Sequence, residues 1–283
     1  MKSHKLLFVT AMDSFASGFA AVDGAGDAGS FVSYLDLVHS MPFFLECKQR
    51  SYRNLTIRPG DSVLEIGCGN GVDATNLAAM AGPAGQVIGI DVSSTMLVSA
   101  RARGSGSSIP QPGYLLCDAG RLAFPDQTFD AVRADRVLQH TKDPATVVRE
   151  MARVTRPSGK IVVFEPDWET FVLWPGDPSV TRRILNSWCD RIPSGWAGRT
   201  LYGAFRAAGL SDISVEPANL MINDLPLAGK IFDLATTTSL AVKAGIVSSR
   251  DAEKWAEDHK RADAAGQFFS SLTFYLVTGT KQG

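Results

Sequence analysis

The hydrophobic positions of this 283-residue chain follow a regular alternation from residue 61 onward. Short runs rich in β-branched residues, such as SVLEIG and QVIGID, are each followed by a segment with helical spacing, such as GVDATNLAAMA and SSTMLVSARAR. The other strand-like runs are GYLLCD, FDAVRADRVL, KIVVFEP, SDISVEP and SLTFYLVTG. Strands that alternate with helices of this length predict an α/β fold, here a mostly parallel seven-stranded sheet with helices on both faces.

The amino-terminal region lies outside this alternation. Apolar positions with helical spacing run from Phe31 to about Asn54, and we expect a kink at Pro42 because proline interrupts the helical hydrogen bonds. We therefore expect residues 1–58 to form a helical lid on a larger domain over residues 59–283.

Two later segments also lie outside the alternation, as insertions in the larger domain. Residues 166–200 are rich in Trp and Pro, which predicts an ordered cap and not a linker. Residues 223–268 have helical spacing and predict two helices between late strands.

Composition narrows the classes of function. The net charge is −1 and the chain has no run of Lys and Arg, so we expect no nucleic-acid partner. No apolar window approaches the length of a membrane span, so we expect no membrane partner and a cytoplasmic location. The cysteines are widely scattered and show no metal-ligand spacing, which predicts free thiols and no bound metal; they are Cys47, Cys68, Cys117 and Cys189.

The stretch VLEIGCGNG, residues 63–71, predicts a ligand-binding turn after the first strand. Its glycines follow the pattern G-x-G-x-G, not the G-x-G-x-x-G of a dinucleotide turn. A structural strand-to-helix turn would also explain the glycines. Glu65, however, lies two positions before Gly67, and a carboxylate there repels pyrophosphate and attracts an amine-bearing ligand.

Two further acids end the next two strands. Asp91 lies about twenty residues beyond the turn, where a carboxylate can accept hydrogen bonds from ribose hydroxyls. Asp118 can accept from an exocyclic amine such as that of adenine. Either acid could instead be a helix N-cap or turn residue. Three acids at three successive strand ends together favour a nucleoside that carries an amino-acid tail and no phosphate.

These motifs resemble the class I S-adenosylmethionine-dependent methyltransferases of the small-molecule type, which have a Rossmann-like fold. The similarity runs from about Asp61 to Pro166 through VLEIGCGNG, VIGIDVS, CDAGRLAFPDQTFDAV and LQHTKDPATVVREMARVTRPSGKIVVFEP. It resumes more weakly at FRAAGLSDISVEP and SLTFYLVTG. The resemblance implies methyl transfer from S-adenosyl-L-methionine, with S-adenosyl-L-homocysteine as product.

The resemblance also implies roles for single residues of the cofactor site. Gly67 and Gly69 would pass near the methionine portion, and Asp91 would bind the ribose with Val92 beside it. Asp118 and Ala119 would border the adenine. Met96 would pack beside the ribose or adenine, although a methionine at helical spacing is more often ordinary core.

His140, just after the fourth strand, is the candidate general base for an acceptor hydroxyl. A loop histidine that bonds locally to Thr141 or Asp143 is an equally good interpretation. The resemblance favours a base with an acidic residue after the fifth strand, where the sequence reads FEPDWE. Of Glu165 and Asp167, we select Asp167 as the second catalytic residue.

The acceptor is expected in the extra segments. Aromatic side chains crowd the cap, and an apolar pocket with few polar groups is the usual small-molecule site. The same aromatics could form only the core of the cap. The predicted pocket residues are Tyr34 of the lid and Trp168, Trp174 and Trp196 of the cap.

The expected function is methyl transfer to a small, partly apolar molecule. A hydroxyl oxygen is the expected acceptor atom, with nitrogen or carbon as alternatives. Two other functions stay open: a cyclase or decarboxylase of the same fold, and a regulatory protein that binds the cofactor without catalysis. The glycine spacing and Glu65 disfavour a nicotinamide-dependent oxidoreductase. The stretch RADRVLQH, where a base methyltransferase would have an N/D-P-P-aromatic sequence, disfavours methylation of nucleic-acid bases. The capped architecture is compatible with a homodimer.

Overall fold

A computed structural model describes residues 19–24, 28–104 and 110–283 of the chain. These residues form one eight-stranded sheet with helices on both faces. The strands are β1 (Ser62–Ile66), β2 (Gln86–Asp91), β3 (Gly113–Leu116), β4 (Phe129–Asp135), β5 (Thr155–Pro166), β6 (Val172–Trp174), β7 (Leu210–Ile222) and β8 (Phe269–Lys281).

Ten α-helices lie in the described ranges: α1 (Ala28–Ser40), α2 (Pro42–Leu55), α3 (Val72–Ala81), α4 (Ser94–Gly104), α5 (Pro144–Val154), α6 (Pro178–Cys189), α7 (Ala197–Ala207), α8 (Leu225–Ile231), α9 (Leu234–Lys243) and α10 (Ser249–Ala264). Short 3-10 segments cover Phe19–Gly24, Leu138–His140 and Trp168–Thr170. Among the described helices, none has both the length and the apolar character needed to cross a bilayer.

The sheet order confirms the predicted α/β class. Strands β3, β2, β1, β4 and β5 are parallel neighbours in that order, and β8 pairs antiparallel with β5 and β7. One strand was not predicted: β6, inside the expected cap, pairs with β8 through Val172 and Ser271. The chain reverses its direction of strand addition between β1 and β4, and ligands of open parallel sheets bind at the carboxyl ends beside such a point.

Two hydrophobic cores enclose the sheet because successive side chains of a strand face opposite sides. Val63 packs into the core that holds α2, α3 and the inserted helices. Its neighbour Leu64 packs into the other core, with α5 and α7. All four cysteines are free thiols, as expected.

The extra segments differ in detail from the prediction. The helix expected from Phe31 to about Asn54 is two helices, α1 and α2, because Pro42 starts a new helix at its first turn, where its missing N–H costs nothing. Residues 1–18 and 25–27 of the expected lid lie outside the described residues. The segment 223–268 holds three helices, not two.

A buried cluster of charged side chains, which we call the charge network, joins α2 to the sheet. Its members are Lys48, Glu65, Asp73, Arg133 and Asp135. Lys48 Nζ donates to carboxylate oxygens of Asp73 and, at 2.9 Å, of Asp135. Arg133 Nη1 donates to Glu65 Oε1 at 2.5 Å, and its Nη2 donates to Asp135 Oδ2 at 2.7 Å. Burial alone raises the pKa of Asp73, but Lys48 and Arg133 hold that pKa below its usual range.

We expect Lys48→Met to destabilise the protein by about 3 kcal/mol, because it removes one of the cations that offset the buried carboxylates of Asp73 and Asp135. Lys48 is 5% exposed, so water cannot replace the lost ammonium. The free energy of unfolding in urea measures the effect.

Lys254→Met is the matched control. Lys254 pairs with Asp258 on α10 but is 69% exposed, so the change should cost at most about 0.5 kcal/mol. Equal losses in the two variants would show that the charge network does not hold α2 on the sheet.

Candidate functional site

A cavity of about 540 Å³ opens at the carboxyl ends of β1, β2 and β4. Its walls come from these strand ends, the segment Phe19–Gly24, α1 and the two inserted segments. Most of the residues predicted from the sequence line it: Tyr34, Gly67, Gly69, Asp91, Val92, Met96, Asp118, Ala119, His140 and Trp168. The predicted residues Glu65, Asp167, Trp174 and Trp196 do not.

The turn after β1 favours glycine at positions 67 and 69 because the backbone there is left-handed and neighbouring side chains leave little space for a Cβ. Gly67 has φ +63°, and a Cβ there would lie 2.4 Å from Val137 Cγ2. Gly69 has φ +50°, and a Cβ there would lie 3.2 Å from Leu35 Cδ1 of α1. The turn therefore brings backbone close to the cavity and leaves no room for side chains beneath α1.

Asp91 is fixed by the turn and keeps spare hydrogen-bonding capacity. Its Oδ2 accepts from Gly69 N and its Oδ1 from Ser93 N, each at 2.9 Å. A carboxylate has about four acceptor positions, so both oxygens can accept further bonds from a ligand. Burial raises the pKa of Asp91, although the backbone donors oppose the shift.

Asp118 stands at the end of β3 in a tight local turn. Its Oδ1 accepts from Gly120 N at 2.8 Å, and no donor among the described residues reaches its Oδ2. The neighbouring Ala119 is buried and supplies apolar surface to the same wall. This part of the cavity can therefore bind a flat ring that carries an amine.

The segment Phe19–Gly24 covers this side of the cavity and is fastened by Asp23. The Asp23 carboxylate accepts from Ser93 Oγ and from the N and Oγ of Ser94, at the first turn of α4. These bonds hold the pKa of Asp23 below its usual range. An acid at a helix N-terminus is favourable both as a cap and for the helix dipole. The sequence analysis missed Asp23, which gave no local signal because its partners lie about 70 residues away.

The structure corrects the position of Glu65. Its side chain is 1% exposed and lies behind the turn, in the charge network. In the parallel register Glu65 is directly opposite Arg133 on β4, so the two side chains share one face of the sheet. Burial raises the pKa of Glu65, and the adjacent positive charge of Arg133 opposes that shift. Sequence spacing could not reveal this cross-strand partner.

His140 is held at the rim by an acid that acts through the backbone. The N–H groups of Val137 and Leu138 each donate to Glu165 Oε1 at 2.6 Å, and Gln139 N donates to Oε2 at 3.3 Å. Glu165 is fully buried at the end of β5 and so positions the 3-10 turn that carries the imidazole.

The surroundings of His140 disfavour the charged form of its imidazole. Burial, helped by the positive charge of Arg136, lowers the pKa of His140 to about 4. Its Nδ1 has no hydrogen-bond partner among the described residues, so neither Thr141 nor Asp143 binds it there. The Phe19 ring covers the imidazole with 5.7 Å between centroids.

The structure places Asp167 outside the cavity lining, in an ion pair. Both of its oxygens accept from Arg199 of α7, at 2.5 Å from Nε and 2.8 Å from Nη2. No hydrogen bond joins Asp167 to His140 in the described residues, and Glu165 is the acid whose oxygens accept from the histidine turn.

The far end of the cavity has an aromatic wall. Trp168 and Trp188 have ring centroids 4.7 Å apart, and Trp168 Nε1 donates to Gln139 Oε1 at 2.6 Å. Trp174 and Trp196 lie outside this wall, since they are 60% and 52% exposed on β6 and at the start of α7. Aromatic density in the sequence could not distinguish inward from outward side chains.

Several cavity residues were missed by the sequence analysis. Arg136 follows β4 with φ +58°, and Asp233, between α8 and α9, has φ +45°. Gln139, Trp188 and Phe232 complete this part of the lining. Left-handed backbone at non-glycine residues such as these depends on tertiary contacts, so it leaves no signal in the sequence.

No cluster of three or more His, Cys, Asp or Glu side chains suited to a metal ion occurs in residues 19–24, 28–104 and 110–283.

Comparison with known proteins shows which family this chain resembles. A family model described as "Methyltransferase domain" matches residues 64–163. An uncharacterized 37.1 kDa transposon protein of Streptomyces fradiae is 36% identical over 247 residues, which cover 87% of this chain and 70% of that protein. The ubiquinone/menaquinone biosynthesis C-methyltransferase UbiE of Burkholderia cenocepacia is 38% identical over 109 residues, 38% of this chain and 44% of that enzyme.

A solved structure shows the same fold across nearly the whole chain. Phosphoethanolamine N-methyltransferase 2 of Haemonchus contortus, in complex with phosphomonomethylethanolamine and S-adenosylhomocysteine, superposes with a TM-score of 0.60 at 19% identity. The match covers 96% of this chain and 61% of that one. This chain belongs to the class I S-adenosylmethionine-dependent methyltransferases, enzymes that use S-adenosylmethionine as the methyl donor.

Proposed function

We propose that the protein methylates a hydroxyl oxygen of a small, partly apolar molecule, with His140 as general base. The observation that carries this proposal is a half-buried imidazole with an unpaired Nδ1 in the same cavity as the glycine turn and the aromatic wall. The alternatives that keep the methyl donor are acceptor nitrogen and acceptor carbon, for which a base is also of use.

The strand-end half of the cavity fits the cofactor. Asp91 would accept from the ribose hydroxyls, because both of its oxygens have spare capacity on the cavity side. Asp118 would accept from the adenine amine, with Ala119 and Met96 against the ring and Val92 at the mouth. Gly67 and Gly69 would lie along the methionine portion, where added side chains would block the approach.

The protein's own residues would accept the proton, position the acceptor and exclude water. Bound S-adenosylmethionine supplies a methyl group already activated on a sulfonium. His140 would take the acceptor's proton, and Glu165 would keep the imidazole in place through the backbone of the 3-10 turn. Enclosure of the acceptor between aromatic walls excludes water and fixes its approach.

The amino-terminal helices would serve as the lid over this reaction. Tyr34 lines the cavity, and its hydroxyl donates to Ile231 O of the second inserted segment at 3.2 Å. Leu35 covers Gly69, and Phe19 covers His140. We infer that these contacts from Phe19, Tyr34 and Leu35 close one side of the cavity, which would favour a small acceptor.

The first experiment uses S-adenosylmethionine with a labelled methyl group and a panel of hydroxylated aromatic acceptors. Label in the acceptor supports methyl transfer, and the site of the label separates oxygen, nitrogen and carbon products. An acceptor that is consumed without label would favour a cyclase or decarboxylase of the same fold.

His140→Ala should lower kcat by roughly 10²- to 10⁴-fold, the usual contribution of a general base. The affinity for S-adenosylhomocysteine should stay within about twofold of the wild-type value, because His140 is not among the residues assigned to the cofactor. Steady-state kinetics and calorimetric titration measure the two quantities. Retained kcat would mean that methyl transfer depends on proximity alone.

Asp91→Ala should weaken S-adenosylhomocysteine binding by roughly tenfold or more, because it removes hydrogen bonds to a charged acceptor. Asp61→Ala is the matched control, since its carboxylate bonds only locally to Arg58 N, outside the cavity. Calorimetric titration measures both variants. Unchanged affinity in Asp91→Ala would show that the ribose binds elsewhere.

The pH dependence of stability tests whether the His140 imidazole is kept neutral. The folded-state pKa, about 4, is below the ordinary 6.5, so the unfolded chain holds more protons between these values. Stability from this group is present above pH 6.5 and is lost as pH falls toward 4. His140→Gln should therefore lose less stability than wild type between pH 7 and pH 5, by up to about 2 kcal/mol. Identical losses in urea unfolding would contradict the neutral imidazole.

A further inference from the structure

We infer that Arg136 forms an anion-binding subsite and that the methyl acceptor carries a carboxylate on a flat apolar body. This inference rests on the proposed function, since it assigns part of the same cavity to the acceptor. It concerns substrate class and is independent of which acceptor atom is methylated.

Arg136 is fixed in an unusual conformation. Its backbone has φ +58°, which costs a bulky residue energy, and its N–H donates to Phe164 O at 2.7 Å. Its guanidinium lies over the Phe44 ring, 4.6 Å from the centroid. The strained backbone and the stacked side chain together hold one charged group at the cavity wall.

Only one nitrogen of this guanidinium is used. Nε donates to Asp135 Oδ1 at 2.7 Å, whereas Nη1 and Nη2 make no hydrogen bond within the described residues. The terminal nitrogens together present the donors that bind a carboxylate in a bidentate manner. The Arg136 side chain is 14% exposed, so its unused donors can be reached by a ligand that enters the cavity.

Asp135 does not neutralise Arg136 alone. Its carboxylate also accepts from Lys48 and Arg133, whose other partners are Asp73 and Glu65. Asp233 lines the same cavity but forms no ion pair with Arg136 in the described residues. The unused terminal nitrogens of Arg136 are therefore the donors available to an acidic ligand.

The surroundings of Arg136 determine the rest of the ligand. Flat aromatic side chains line the same part of the cavity, and they favour a planar apolar body beside the charged group. They are Tyr34, Phe44, Trp168, Trp188, Phe232 and Phe274. An aromatic or similarly flat carboxylic acid combines both features.

The test compares charged and neutral probes of equal shape. Benzoate with benzamide, and 2-naphthoate with 2-naphthamide, are titrated calorimetrically into the protein saturated with S-adenosylhomocysteine. In wild type, at least one carboxylate should bind roughly tenfold or more tightly than its amide, as a bidentate charged pair implies. Arg136→Gln should abolish this preference and leave amide binding unchanged.

Two further variants make the test specific. Arg136→Lys keeps the positive charge but loses the bidentate guanidinium, so it should retain part of the carboxylate preference. This variant keeps the test valid if Arg136→Gln folds poorly. Arg149→Gln, at an exposed arginine of α5 outside the cavity, should keep the full preference. Thermal unfolding of each variant reports on folding.

Two results would overturn the inference. One is the absence of any carboxylate preference in wild type that binds S-adenosylhomocysteine normally. The other is a loss of S-adenosylhomocysteine affinity in Arg136→Gln with unchanged affinity for 5′-methylthioadenosine, which lacks the amino-acid carboxylate. The second result would assign Arg136 to the cofactor. Failure of the proposed function is separate, because it would appear as a lack of labelled product while probe binding stays as expected.

Discussion

The pairing of Lys48 with two buried carboxylates is the interaction on which the site depends. Lys48 comes from α2, Asp73 from the first turn of α3 and Asp135 from the end of β4. Each carboxylate in this place would be strongly unfavourable without a cation, because ions removed from water lose several kcal/mol of solvation. Helix α2 therefore supplies a cation that these buried carboxylates need. The amino-terminal helices also cover this end of the sheet.

The same network sets the chemistry of the cavity in front of it. Glu65 is compensated by Arg133 behind the turn, so the negative charge that the sequence places near the ligand is mostly used within the protein. Asp135 also orients Arg136, whose free edge faces the cavity. Arg136 in turn helps to keep His140 neutral. Structural charges and the proposed functional charges are thus one connected system, and a change in one alters the others.

The two halves of the cavity differ in how they are built. The half proposed for the cofactor consists of strand ends and one glycine turn, where backbone groups fix Asp91 and Asp118 by short local bonds. The half proposed for the acceptor consists of segments far apart in the chain, which contribute Tyr34, Arg136, Trp188 and Phe232. The first half therefore depends on local contacts, and the second depends on tertiary packing.

The alternation of strands and helices was sufficient to predict the sheet from its sequence, since periodicity and turn residues are local properties. The positions of Gly67, Gly69, Asp91 and Asp118 were also predictable, because each residue lies at or just after the end of a strand. Less was predictable in the insertions. The short strand β6 depends on pairing with β8, about 100 residues away, and the third helix of 223–268 depends on a left-handed Asp233.

The sequence by itself determined the fold class and the place of His140, because both follow from spacing along one or two neighbouring elements, and its resemblance to a known family indicated the methyl donor. Only the tertiary structure decided which side chains share an environment. Asp167 pairs with Arg199, and Glu165 accepts hydrogen bonds from the histidine turn. Trp174 and Trp196 are exposed, and the terminal nitrogens of Arg136 have no hydrogen-bond partner in the described residues. The physical reason is that ion pairing, burial and side-chain direction depend on neighbours that are distant along the chain and meet only when the layers pack.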